Sequence, residues 1–195
     1  MVMTKDKPII AIGRSRYMYD SIIHLMEKGY HFAAIVTEKA YEEYDIKEEH
    51  FEELAAKSGA AYFCTANVNI PELVKVIKEQ KVDIAISANW RFKLPKEFLD
   101  LFACGVFNYH LGNLPDYNGN ATINWTLVHG LDHINGNIHK MDPELDSGDI
   151  VVRKSVPILE TDYVADVLFT KHNRIRPGFL KKHWSCCGMT ILTTS

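Results

Sequence analysis

PIIAIGRSRYMYDSIIHLMEKGYHFAAIVT, residues 8–37, decides the fold. Its opening run, Pro8 to Ile12, is apolar at every position and too short for a buried helix, so it reads as a strand covered on both faces. RYMYDSIIHLMEKG then repeats its apolar residues at helical spacing and stops at Gly29. HFAAIVT is again a strand. A strand, a crossover helix and a second strand of these lengths make a right-handed parallel unit.

The same rhythm continues outward. EEHFEELAAKSG is a helix with Gly59 as its stop, AAYFCT a strand, IPELVKVIKEQ a helix begun by Pro71, and VDIAISA a strand. A helix PKEFLDLF and a strand CGVFNYH follow, then the Gly-, Asn- and Pro-rich loop LGNLPDYNGN. ATINWTLVHG is a helix closed by Gly130, and GNIHKMD and DIVVRKSVPI are strands. The expected fold is α/β: a Rossmann-like, doubly wound, mostly parallel sheet of about seven strands with helices on both faces. Residues 1–175 are expected to form one catalytic domain, with 176–195 as a short tail that fits no period.

Composition narrows the function. The chain has 195 residues, 47% of them hydrophobic, and a formal net charge of −3. No stretch approaches the ~20 continuous apolar residues of a membrane span. A slightly acidic chain without a basic cluster is poorly suited to gripping a nucleic-acid backbone. MVMTKDKPII is too short and polar for a signal peptide, so a cytoplasmic protein is expected. Cys64 and Cys104 lie in apolar runs and read as small buried residues, Cys186 and Cys187 fall in the tail, and no spacing suggests a metal site.

Ligands of such sheets bind at the C-terminal ends of the strands. Asn108 and His110 close the strand CGVFNYH, and their spacing turns both side chains to one side. Asp146 lies in LDSGDIV, a turn just before a strand. Singly, each has an ordinary explanation as a turn former, a structural histidine or a cap. The segments FNYHLGNLPDYNGNATINW and IHKMDPELDSGDIV together, however, resemble the signature of the folate-dependent formyltransferases. That family includes enzymes acting on glycinamide ribonucleotide, methionyl-tRNA and nucleotide-linked sugars. Its pattern is matched by Asn108-Tyr109-His110, Leu114-Pro115 and Leu145 to Asp149, and the resemblance spans roughly residues 8 to 160.

The resemblance implies that an amine attacks the formyl carbon of N10-formyltetrahydrofolate. In such a reaction Asn108 donates to the oxyanion, His110 stabilises that charge or carries the amine proton, and Asp146 orients His110 and relays protons. By the same analogy the cofactor pocket comprises Trp90, Arg91, Phe92 and Leu94 with His139, Lys140, Met141 and Asp142, while Asn118 and Asn120 shape its mouth. Gly13, Arg14, Ser15 and Arg16 sit where the first strand enters a helix, an arrangement that offers backbone N–H groups and two guanidiniums to an anion. They suggest an acceptor carrying phosphate. The pair Asn124-Trp125 resembles the sugar and methionyl-tRNA enzymes more than the purine enzyme, and no basic C-terminal domain for tRNA is present in the sequence. A small-molecule acceptor, a nucleotide-linked amino sugar, is therefore expected, and a homodimer is compatible with the family. Glycinamide ribonucleotide, an aminoacyl carrier, or an inactive folate-binding shell are the alternatives.

Overall fold

In the computed structural model, which describes residues 5–167, the apolar runs become strands and the amphipathic runs become helices. The elements are β1 (Ile9–Gly13), α1 (Ser15–Glu27), β2 (Phe32–Thr37), α2 (Glu48–Ser58), β3 (Ala61–Cys64), α3 (Pro71–Glu79) and β4 (Ile84–Ala88). They continue as α4 (Lys96–Leu99), β5 (Gly105–Leu111), α5 (Thr122–Val128), β6 (His133–Lys140) and β7 (Ile150–Pro157). All strands join one sheet in the order β3-β2-β1-β4-β5-β6-β7. The first five are parallel, and β6 and β7 run antiparallel to their neighbours.

Alternation along β1 shows why the sheet is covered on both sides. Ile9 and Ala11 pack with Met18, Ile22 and Leu25 of α1 and Phe51 and Leu54 of α2. Ile10 and Ile12 pack instead with Leu73 and Ile77 of α3 and Phe98 of α4. Each strand residue thus buries its side chain against one helical layer or the other, the arrangement a doubly wound sheet demands. The chain reverses direction after β5 because the long loop and α5 return it to the same end of the sheet. That reversal sets His139 directly opposite Asn108, while Ser87 faces Asn108 from β4.

Two details differ from the sequence reading. Only Lys96–Leu99 of PKEFLDLF is α-helical; Leu101 and Phe102 then bond to carbonyls three residues back, a tighter turn that ends the helix. Cys64 is exposed and Cys104 only half-buried, because Cys64 ends β3, an edge strand with a neighbour on one side alone. The expected tail, 176–195, lies outside the described residues, as do Cys186 and Cys187.

Gly13 marks the point where β1 comes closest to β4. A Cβ there would lie 2.2 Å from the Ala88 carbonyl oxygen, a backbone atom fixed by the sheet. Gly13→Ala should therefore destabilise the fold by about 1–3 kcal/mol through overpacking, visible as a lowered urea midpoint. An unchanged midpoint would show that β1 and β4 separate without cost.

Candidate active site at the ends of β4, β5 and β6

Asn108 and His110 share a face of β5 with Val106, the α3–α4 side of the sheet. β4 ends opposite Tyr109, so His110 extends just past the parallel sheet. Asp146 reaches the same place from the loop between β6 and β7. Its backbone adopts φ 50°, a left-handed conformation uncommon for a non-glycine residue and typical of functional turns. Gly148 lets that loop press on β6: a Cβ on it would overlap the Lys140 carbonyl oxygen at 1.8 Å.

Asp146 is the hub. Its Oδ2 accepts from the Gly119 N–H at 2.9 Å and lies 3.4 Å from His110 Nδ1. Its Oδ1 lies 3.4 Å from His139 Nε2. Burial alone would raise the carboxyl pKa, but the His139 contact, the charge interaction with His110 and the Gly119 N–H together hold it below the usual carboxylate value. His110 moves in the same direction for another reason. Burial of its ring outweighs Asp146 and the Tyr117 carbonyl, and the pKa falls below the ordinary histidine value. The second ring nitrogen, Nε2, lies 3.0 Å from that carbonyl. A neutral ring has one proton for these two oxygen acceptors.

These groups open onto a cavity of about 380 Å³. Of the expected cofactor residues, Trp90, Arg91, Phe92, Leu94, Met141 and Asp142 line it, as does Asn120. Two expected residues do not. Lys140 folds its aliphatic chain over Gly105 and lines a separate depression beside Lys96 and Phe102. His139 is 1% exposed and sits behind Asn108, with Nε2 3.3 Å from Asn108 Nδ2. Asn118 is exposed outside the cavity wall.

The anion cradle expected at Gly13–Arg16 is not assembled. Arg14 is buried, with Nη1 3.3 Å from the buried Glu38 carboxylate and Nε donating to the Asn89 carbonyl at 3.0 Å. Its guanidinium also stacks on Tyr41, 4.6 Å from the ring centroid. Arg16 turns outward to Asp45 at 2.7 Å, and the Ser15 hydroxyl accepts from Asn89 Nδ2 at 2.9 Å. Gly13 is spent on packing against β4. Arg91, although beside the cavity, gives its guanidinium to Glu38 and to the Tyr41 hydroxyl. Glu38 thus neutralises Arg14 and Arg91, two of the three guanidiniums that the sequence reading assigned to a ligand. It was missed because Thr37-Glu38-Lys39 reads locally as a solvated strand end, and both of its arginine partners are far away in sequence.

Removing Glu38 should leave Arg14 buried without a counter-charge, so Glu38→Ala should cost about 3–5 kcal/mol in chemical denaturation. A loss under 1 kcal/mol would mean the pair is dispensable. The lowered pKa values of His110 and Asp146 give the pH dependence its sign. Both groups bind protons more readily unfolded than folded, so both contributions are lost as pH falls. His110's share is complete above its unfolded value near 6.5 and Asp146's above about 3.9. Urea midpoints should drop between about pH 7 and 5, and His110→Gln should flatten that slope; parallel curves would remove His110 from the cause.

Comparison with known proteins places this arrangement among relatives. A model of the family described as Formyl transferase matches residues 9–175. Methionyl-tRNA formyltransferase of Caldanaerobacter subterraneus subsp. tengcongensis is 30% identical over 158 residues, 79% of this chain and 51% of that protein. This chain therefore spans about half the length of that relative. Phosphoribosylglycinamide formyltransferase from Bacillus halodurans superposes with a TM-score of 0.73 at 20% identity, covering 92% of this chain and 96% of that one. A sugar 3N-formyl transferase solved in the presence of dTDP and 5-N-formyl-THF gives a TM-score of 0.67 at 16% identity, covering 91% and 61%. With the match extending over most of its length, the chain belongs to the formyl transferase family.

Proposed function

We propose that this protein transfers a formyl group from N10-formyltetrahydrofolate to the primary amine of a nucleotide-linked amino sugar. The observation that carries the reading is the convergence of the Asn108 amide, the His110 imidazole and the Asp146 carboxylate at one end of a single cavity. The cavity wall also suits the donor. Trp90 Nε1 and Ser87 Oγ are buried there with no protein partner, and a polar heterocycle supplies the acceptors that such donors lack. Trp90, Phe92, Leu94 and Met141 add apolar surface for its ring.

When bound, N10-formyltetrahydrofolate supplies the formyl carbon as the electrophile. The residues then divide the work. Asn108 donates to the formyl oxygen as it gains negative charge, a contribution of about 3–4 kcal/mol for one such donor. His110 takes the amine proton. That proton would pass by way of the His110–Asp146 pair to the folate nitrogen that leaves, so that tetrahydrofolate departs as the formyl group is transferred. Asp146 keeps the ring turned and offsets the charge that His110 gains.

The acceptor rests on further support. Trp125 is 53% exposed on α5 and lies beside His129, next to the cavity residue Asn124. An exposed indole one residue from the cavity lining is a surface on which a nucleobase can stack. The sugar 3N-formyl transferase relative, solved with dTDP, accords with this. Because Arg14 is buried against Glu38 and Arg16 turns outward to Asp45, we place the phosphates of such an acceptor elsewhere, and among the described residues Lys93, exposed at the cavity wall, is a cation in position to meet them. Glycinamide ribonucleotide is the second reading, supported by the near-complete coverage of the phosphoribosylglycinamide enzyme. Among the described residues no helix is long and apolar enough to cross a membrane; we place the protein in the cytosol, acting alone or as a homodimer.

Purified protein mixed with N10-formyltetrahydrofolate and a panel of nucleotide-linked amino sugars, with glycinamide ribonucleotide included, should release tetrahydrofolate and one formylated product. Asn108→Ala should lower kcat by about 10²–10³-fold with little change in stability. Retention of most activity would remove Asn108 from the chemistry. Formylation of glycinamide ribonucleotide alone would replace the sugar reading.

A further inference from the structure

The cluster holds a second imidazole that the chemistry above does not use. His139 is 1% exposed and does not line the cavity, so it cannot touch a substrate. It nevertheless stands directly across the strand pair from Asn108 and meets Asp146 as well. The pairing of β6 with β7 slips between Ile138 and His139, so the ladder is irregular where this ring is placed.

Its proton can be located from its neighbours. A carboxylate accepts hydrogen bonds and donates none. Asp146 Oδ2 is already met by the Gly119 N–H and by His110, which leaves His139 Nε2, at 3.4 Å, facing Oδ1. Nδ1 faces the Lys140 carbonyl at 3.2 Å, so both ring nitrogens meet oxygen acceptors; the hydrogen sits on Nε2 because a lone pair aimed at a charged carboxylate is repelled more strongly than one aimed at a neutral carbonyl. The same Nε2 has one end of the Asn108 amide at 3.3 Å. If that end were NH₂, two donors would oppose each other. The two ends of an amide have the same shape, and the hydrogen-bond network decides which faces where. Here it places Oδ1 toward the imidazole and leaves the NH₂ for the cavity.

We propose that His139 is a positioning residue, whose Nε2–H fixes the Asn108 amide with its oxygen inward and its NH₂ toward the formyl oxygen. The inference rests on the formyl-transfer reading above. Asp146 then has two tasks through its two oxygens: one aligns His110, and the other holds the proton of His139 that aligns Asn108. Without His139 the amide rotates freely and presents an acceptor to the developing charge part of the time. Ser87, the partnerless hydroxyl opposite Asn108 on β4, offers no competing constraint in the structure.

A double-mutant cycle tests this. His139→Ala should lower kcat by about 10²-fold, the lower end of removing an oxyanion donor outright, while KM for N10-formyltetrahydrofolate stays nearly constant. His139→Gln, whose side-chain NH₂ can replace Nε2–H, should restore much of that loss. In the Asn108→Ala background, His139→Ala should cost far less than in the wild type, because the amide it positions is gone. If His139→Ala fails to fold, His139→Leu fills the volume without a donor and serves in the same cycle. Multiplicative losses, or a His139→Gln variant no better than His139→Ala, would overturn the proposal while leaving the formyltransferase reading intact. A wild-type protein with no formyl transfer to any acceptor would remove both.

Discussion

A buried carboxylate must be met by donors, and the site depends on how Asp146 meets that requirement. Its charge lies at the end of a sheet whose interior is Ile, Val, Ala and Phe, where an unpaired anion is costly. Three groups from three places answer it: a backbone N–H from the loop after β5, an imidazole on β5 and an imidazole on β6. Each is held by the carboxylate as much as it holds it. The ring of His110, the ring of His139 and the loop at Gly119 are thereby brought into register around one cavity. The left-handed backbone at Asp146 and the close approach of Gly148 to β6 are the local strains that let the loop deliver the carboxylate.

The register of β6 on β5 makes this possible. Running antiparallel, β6 carries His139 into the row that already contains Ser87 and Asn108. The polar row lies on the α3–α4 face, continuous with the apolar cluster that includes Trp90, Leu94 and Met141. Apolar walls and convergent polar groups thus belong to the same layer of the structure. This is the composition a binding cavity needs: surface to exclude water, and a few donors to fix orientation.

The fold was legible because its signals are local. Each parallel strand is a short apolar run, each helix has its own period and stop, and a few residues suffice to read either. Asn108, His110 and Asp146 were legible for a different reason: two specific segments carry them. Glu38 and His139 were not. Glu38 pairs with Arg14 and Arg91, and nothing within a helix turn of it announces that partnership. His139 stood in a strand already assigned to cofactor binding, and its role appears only once β5 and β6 are placed side by side. Cys64 shows the same limit in reverse: an apolar neighbourhood in sequence says nothing about whether the strand is at an edge.

The Arg14–Glu38 pair bears directly on the acceptor. Sequence places two arginines where a helix begins, an arrangement suited to phosphate. The fold places a carboxylate against one, turns the other outward and stacks Tyr41 on the buried guanidinium. An anion arriving there would have to displace Glu38, and the displaced carboxylate would be left buried and unpaired. That cost falls on any acceptor whose phosphate must sit at the start of α1, and not on one whose phosphates lie farther out along the cavity mouth. The same ion pair also anchors Arg91, and through it the segment Asn89–Leu94 that forms one wall of the cavity. Glu38 therefore links the charge at the start of α1 to the shape of the cavity: a change that freed the two arginines would also loosen the wall that Asn89–Leu94 form.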